Sequence, residues 1–194
     1  MADTDNLQAV DFDPFADGEL ADATPTTAAQ REIWIAARMG DDTSLAYNES
    51  ITVELFGSLD VDALRGALGE VVRRHESLRA TFSPDGQQMC IARALDVPLP
   101  LVDVSGAAPE AREVRLAELV EIEAKTAFDL ERGTLLRASL VRFGEEDHRL
   151  ILGSHHIVCD GWSFAVILKD LGPIYSARRA KRVATVAPAL PLSV

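Results

Sequence analysis

The sequence predicts an α/β layer fold, a sheet backed by helices. Three observations carry that expectation. Segments of alternating apolar and polar residues, such as Ile51, Val53 and Leu55 set against Thr52 and Glu54, take turns with segments of helical period. The chain of 194 residues is 47% hydrophobic, enough for one domain with its own core. Glycine-rich or proline-containing turns punctuate the segments at Gly57, Ser83-Pro84-Asp85-Gly86 and Gly144-Glu145-Glu146-Asp147.

Residues 1–23 carry Asp3, Asp5, Asp11, Asp13, Asp17 and Asp22 among few large apolar groups and read as an acidic leader or linker. The lobe proper is expected over 24–182, and 183–194, with Pro188 and Pro191, reads as a tail. Thr24-Pro25-Thr26-Thr27 opens a helix that Gly40 ends, with a threonine N-cap. A strand follows over 49–56. Asp60 then caps a helix to about His75, whose Val61, Leu64, Leu68, Val71 and Val72 share one face. Ser77 to Phe82 reads as extended and pairs across the Ser83–Gly86 turn with 88–92. A short strand at 99–104 precedes a charged helix that starts at Pro109 and runs to about Phe128. Strands at 134–143 and 148–154 form a hairpin. A last helix over 161–181 buries Phe164, Ile167, Leu168 and Leu171, with Gly172-Pro173 as a candidate kink.

Charge and cysteine content narrow the function classes. With 31 acidic and 19 basic residues the formal charge is −12, which repels phosphate backbones and argues against nucleic-acid binding. Cys90 and Cys159 stand far apart in no paired motif, so neither a disulfide framework nor a zinc site is expected. No apolar run reaches membrane-spanning length and the first residues lack a signal-peptide core, so a cytoplasmic protein is expected.

The chemistry concentrates in His155-His156-Ile157-Val158-Cys159-Asp160-Gly161-Trp162-Ser163, directly after the apolar run Leu150-Ile151-Leu152-Gly153. An imidazole at a strand end can take or orient a proton near neutral pH. A strand-end histidine with a purely structural role is the plainer reading. A metal site built on His155, His156 and Asp160 is disfavoured, because adjacent strand residues point to opposite faces.

Four segments, in order, resemble the motifs of the condensation domains of nonribosomal peptide synthetases and of the wider chloramphenicol acetyltransferase-like superfamily. They are Thr24 to Trp34, Leu45-Ala46-Tyr47-Asn48, Arg74-His75-Glu76-Ser77-Leu78-Arg79-Ala80-Thr81-Phe82, and His155 to Ser163. The resemblance implies a chloramphenicol acetyltransferase-like lobe of α/β (α+β two-layer) type, a mixed sheet flanked by helices. It implies amide formation between an acyl or peptidyl thioester and an aminoacyl thioester. His156 is implied to deprotonate or orient the acceptor amine. His155 is implied to be structural, Asp160 to brace the loop against a buried arginine, Arg74 or Arg79, and Gly161 to allow close backbone approach. No cofactor is implied to bind directly. The substrates would ride on the 4′-phosphopantetheine arms of donor and acceptor carrier-protein domains.

The resemblance covers only the first of the family's two lobes. The expected partners therefore include a C-terminal lobe outside this chain, with its Asp-Phe-Gly-Trp-Gly-like motif, and adjacent synthetase or polyketide synthase modules. Histidine at 155 and the order Trp162-Ser163 resemble the peptide-bond-forming branch rather than the heterocyclising or epimerising ones. Two alternatives stay open: a stand-alone acyltransferase using acyl-coenzyme A or carrier thioesters, and a non-catalytic module that docks carrier proteins.

Overall fold

A computed structural model describes residues 20–189, so the acidic leader up to residue 19 and the tail from 190 lie outside the described residues. Seven strands and five α-helices follow in the order β1 (Leu20–Pro25), α1 (Ala28–Ala37), α2 (Asp41–Leu45), β2 (Asn48–Phe56), α3 (Val61–Arg74), β3 (Ala80–Phe82), β4 (Gln88–Ala92), β5 (Leu101–Asp103), α4 (Pro109–Lys125), β6 (Leu136–Gly144), β7 (Asp147–His155) and α5 (Gly161–Arg179).

The larger sheet has the order β2-β7-β6-β5 and is mixed, with β5 parallel to β6 and the other pairs antiparallel. Strand alternation gives it two apolar faces. Leu136, Ala138, Leu140, Leu150 and Leu152 face α3 and α5 and form the main core with Leu64, Leu68, Val71, Phe164, Ile167 and Leu171. Val141, Phe143 and Ile151 face the other way, onto Leu116, Leu119 and Val120 of α4. The expected mixed sheet flanked by helices is thus present.

It is joined by a second sheet, of which the sequence suggested only the hairpin across the Ser83–Gly86 turn. Strands β1, β4 and β3 form a separate three-stranded antiparallel sheet. The last residues of the expected leader, with Thr24 and Pro25 from the segment expected to open the first helix, are its edge strand: Leu20 to Pro25 pair with Ala92 to Gln88. The segment Leu-Ala-Asp-Ala-Thr-Pro has little strand propensity of its own, and its conformation comes from the ladder it joins. Pro25, which has no N–H to give, sits at the end of this edge strand, where proline is tolerated. The stretch 77–82 is also not extended throughout, because Glu76–Arg79 makes one 3-10 turn before β3.

Phe82, Met89 and Ile91 of the small sheet pack with Phe128, Leu130, Leu135 and Ile157 into a second core, closed by Ile33, Trp34 and Ala37 of α1. Gly86 is where α1 meets the β3–β4 turn. Its φ is +67°, and a Cβ there would fall 2.5 Å from Trp34 Cδ2, so the turn needs glycine on both counts. The second core matters for function because Ile157 belongs to it, and Ile157 follows His156 directly.

The final helix runs through Pro173 to Arg179. The segment beyond it folds back: Ala184 and Val186 pack on the main core, and Arg74 donates to the carbonyl of Ala187.

Candidate active site

The site forms where β7 ends. His155 is the last strand residue and pairs with Asn48 of β2; its N–H donates to Leu135 O at 3.2 Å. His156 leaves the ladder, and its N–H donates to Tyr47 O at 2.8 Å. Alternation at this point sends the two rings into different surroundings.

His155 has 0% of its surface exposed. Its ring lies 6.0 Å from that of Tyr47 and edge-on to Phe128 at 6.1 Å. Nδ1 accepts from the N–H of Ile157 at 3.2 Å, so in the neutral ring the hydrogen sits on Nε2, which is buried without a hydrogen-bond partner. Burial, and then the neighbouring His156, lower its pKa from 6.5 to about 4. His155 is therefore a neutral side chain that pins the turn through Ile157.

Phe128 is held in turn by Arg137, whose guanidinium carbon lies 3.6 Å from the ring centroid. Arg137 also binds Glu123 at 2.8 Å and the carbonyl of Thr126 at 2.8 Å. This layer ties the end of α4 to the floor of the site.

Linkage makes His155 measurable. The unfolded chain takes up a proton near pH 6.5, whereas the fold does so only near pH 4. Between those values the unfolded state binds more protons, so stability is complete above the upper value and falls as pH drops toward the lower one. The loss attributable to His155 is roughly 3 kcal/mol. His148, whose pKa burial and Arg142 also lower, acts in the same direction. Urea unfolding across this range should show the loss in the wild type and a flatter profile in His155→Leu; equal slopes would refute the assignment.

His156 is partly exposed. Its Nδ1 lies 3.0 Å from Glu49 Oε1 and 3.2 Å from the carbonyl oxygen of Cys159. The ring is stacked near-parallel to Tyr47 at 6.4 Å. It lines an open cleft of about 340 Å³ together with Thr27, Gln30 and Ile33 of the α1 segment and with Asp160 and Ser163. Thr27 and Gln30 form the capping box that starts α1, and Gln30 Nε2 reaches back to Ile157 O at 3.4 Å. The first motif segment thus meets the fourth across the cleft.

Asp160 is not where the arginine-pairing expectation put it. It is exposed and is the N-cap of α5: Oδ1 accepts from Ser163 N at 2.8 Å and from Ser163 Oγ at 2.7 Å. The Ser163 hydroxyl and backbone N–H lower its pKa. Neither candidate arginine is its partner. Arg74 pairs with Asp170 of α5 at 3.3 Å, beside His75, whose Nε2 is 3.0 Å from the same oxygen. Arg79 is buried and donates to the backbone carbonyls of Val72, Ala92 and Arg93. The physical reason is local: a helix N-terminus three residues from Ser163 satisfies the carboxylate without a cation.

Asp160→Asn should then change stability by less than about 1 kcal/mol, since asparagine caps nearly as well, while Asp160→Ala costs about 1 kcal/mol. A loss of several kcal/mol in Asp160→Asn, read by thermal unfolding, would restore the buried-pair expectation.

Gly161 makes no close approach within this chain. A Cβ there would have nothing within 4 Å, and its φ is not positive. The neighbouring Trp162 is 83% exposed. Both cysteines are buried, and burial raises the pKa of the Cys159 thiol to about 11. Among the described residues no group of three or more His, Cys, Asp or Glu is arranged to hold a metal, and no helix is long and apolar enough to cross a membrane.

Sequence reasoning missed Glu49 as a member of the site. Tyr47-Asn48 directly before it belongs to a motif segment, but the carboxylate reaches His156 only through the β2–β7 register, which sets Glu49 opposite Ser154.

The arrangement is that of an α/β lobe presenting one accessible histidine at a strand end, above a buried neutral one. The Condensation domain family matches residues 20–188, and the chain belongs to that family. It is 41% identical over 164 residues to chondramide synthase cmdD of Chondromyces crocatus, covering 84% of this chain and 4% of that protein. It is 35% identical over 181 residues to the isonitrile lipopeptide synthase of Mycobacterium tuberculosis, covering 91% of this chain and 7% of that protein. Among solved structures, the first condensation domain of the calcium-dependent antibiotic synthetase superposes with a TM-score of 0.74 at 26% identity, over 86% of this chain and 41% of that one. The X-domain in complex with OxyB from teicoplanin biosynthesis superposes with a TM-score of 0.73 at 37% identity, over 84% and 35%. The chain thus spans a small fraction of the synthases and well under half of the solved domains.

Proposed function

We propose that this chain is the N-terminal lobe of a synthetase condensation domain that forms an amide between two carrier-bound thioesters. The observation that carries the reading is His156. Both partners of its Nδ1 are acceptors only, so the neutral ring keeps Nε2 free of hydrogen, and the ring lines the cleft. The acceptor's amine nitrogen attacks the donor's thioester carbonyl. The C–N bond forms, His156 takes or orients the amine proton, and the C–S bond breaks with release of the thiol. The acyl groups arrive on phosphopantetheine arms of donor and acceptor carrier proteins in a cytoplasmic assembly, and a second lobe closes the cleft.

The runner-up is a non-catalytic docking module, favoured by the likeness to an X-domain solved in complex with another protein. The test is carrier-to-carrier transfer by a two-lobed domain with this chain as its first lobe, read as the amide-linked acceptor thioester. Carrier binding without product, at every donor tried, would favour the docking module.

A further inference from the structure

Glu49 lies outside all four motif segments, yet it supplies the shorter of the two contacts to His156. The oxygen of a carboxylate and that of a peptide carbonyl both accept and never donate, so the hydrogen between them and the imidazole belongs to Nδ1. The Cys159 carbonyl takes the hydrogen bond at 3.2 Å; the Glu49 carboxylate stands 3.0 Å from Nδ1 in ion-pair contact, outside hydrogen-bond alignment. A negative charge at that distance repels a bare Nδ1 lone pair and attracts an Nδ1–H, so it favours hydrogen on Nδ1. The placement of Glu49 does not depend on a mobile loop. It sits in the β2 ladder opposite Ser154, and Tyr47, two residues earlier, both accepts the His156 N–H and stacks on its ring.

We propose that Glu49 is a positioning residue whose charge favours the Nδ1–H form of His156 and so keeps Nε2 as the proton-accepting nitrogen. The consequence for catalysis rests on the proposed role of His156; the tautomer does not.

The test is two-bond 1H–15N correlation NMR of the uniformly 15N-labelled chain at about pH 8, where an ordinary imidazole is neutral, in the wild type, Glu49→Gln and Glu49→Ala. The wild type should show His156 with hydrogen on Nδ1. In Glu49→Ala the ratio of the Nδ1–H to the Nε2–H form should fall about tenfold, the Coulomb preference exerted by one water-screened charge at about this distance. Glu49→Gln, which keeps an acceptor without the charge, should fall between the two. His155 is an internal control for the fold: its hydrogen is on Nε2 and should stay there in all three proteins. A wild-type His156 with hydrogen on Nε2 overturns the proposal. So does an unchanged ratio in Glu49→Ala, which would assign the task to the Cys159 carbonyl. Loss of turnover in His156→Ala is a separate result, so the functional reading and this one fail independently.

Discussion

Replacing His156 by alanine in the two-lobed domain should lower amide formation about 10²- to 10⁴-fold, the range in which one positioned acid–base side chain contributes. The lobe itself should stay intact. His156 is only partly buried, and the Ile157 N–H that anchors the turn goes to His155, so the fold does not depend on the imidazole. The expected pattern is a fall in kcat with little change in carrier binding. The measurement is single-turnover transfer from a loaded donor carrier to a loaded acceptor, with unfolding midpoints run in parallel. Turnover within a few-fold of wild type would remove His156 from the chemistry. Parallel loss of stability and activity would make it a structural residue.

The largest effect expected on stability belongs to Arg79. Its guanidinium is buried beside the end of α3 and donates to the carbonyls of Val72, Ala92 and Arg93. It thereby joins the main helical core to β4 of the small sheet. Arg79→Leu keeps apolar bulk but leaves the carbonyls of the buried Val72 and Ala92 without this donor, at roughly 1–3 kcal/mol for each one that water cannot reach. A total of roughly 3–5 kcal/mol is expected in urea unfolding of the chain. Arg79→Lys should recover only part, because an ammonium cannot fork toward several acceptors as a guanidinium does. A loss below about 1 kcal/mol in Arg79→Leu would show that water replaces the guanidinium.

Much of this was legible in the residues. The periods of α3 and α5, the alternation in β2, and the turn at Ser83–Gly86 each follow from local rules, since side-chain direction along a helix or strand is set by backbone geometry alone. The strand-end position of His155 and His156 followed from the apolar run before them, and the four ordered segments pointed to the family. What local rules do not contain is pairing at long sequence separation. Leu20–Pro25 became a strand only because β4 offered it a ladder. Glu49 became a neighbour of His156 because the β2–β7 register put it there.

Partner choice among charges was likewise a tertiary decision. Asp160, Arg74 and Arg79 all looked available to one another, but a carboxylate at a helix start finds backbone and hydroxyl donors within one turn. Arg74 then went to Asp170, and Arg79 went to carbonyls left open at the ends of α3 and β4. By itself the sequence determined most of the lobe's elements and the histidine at its strand end. The tertiary structure decided which groups orient that histidine, because hydrogen-bond acceptors act only within about 3 Å and that proximity is set by the fold.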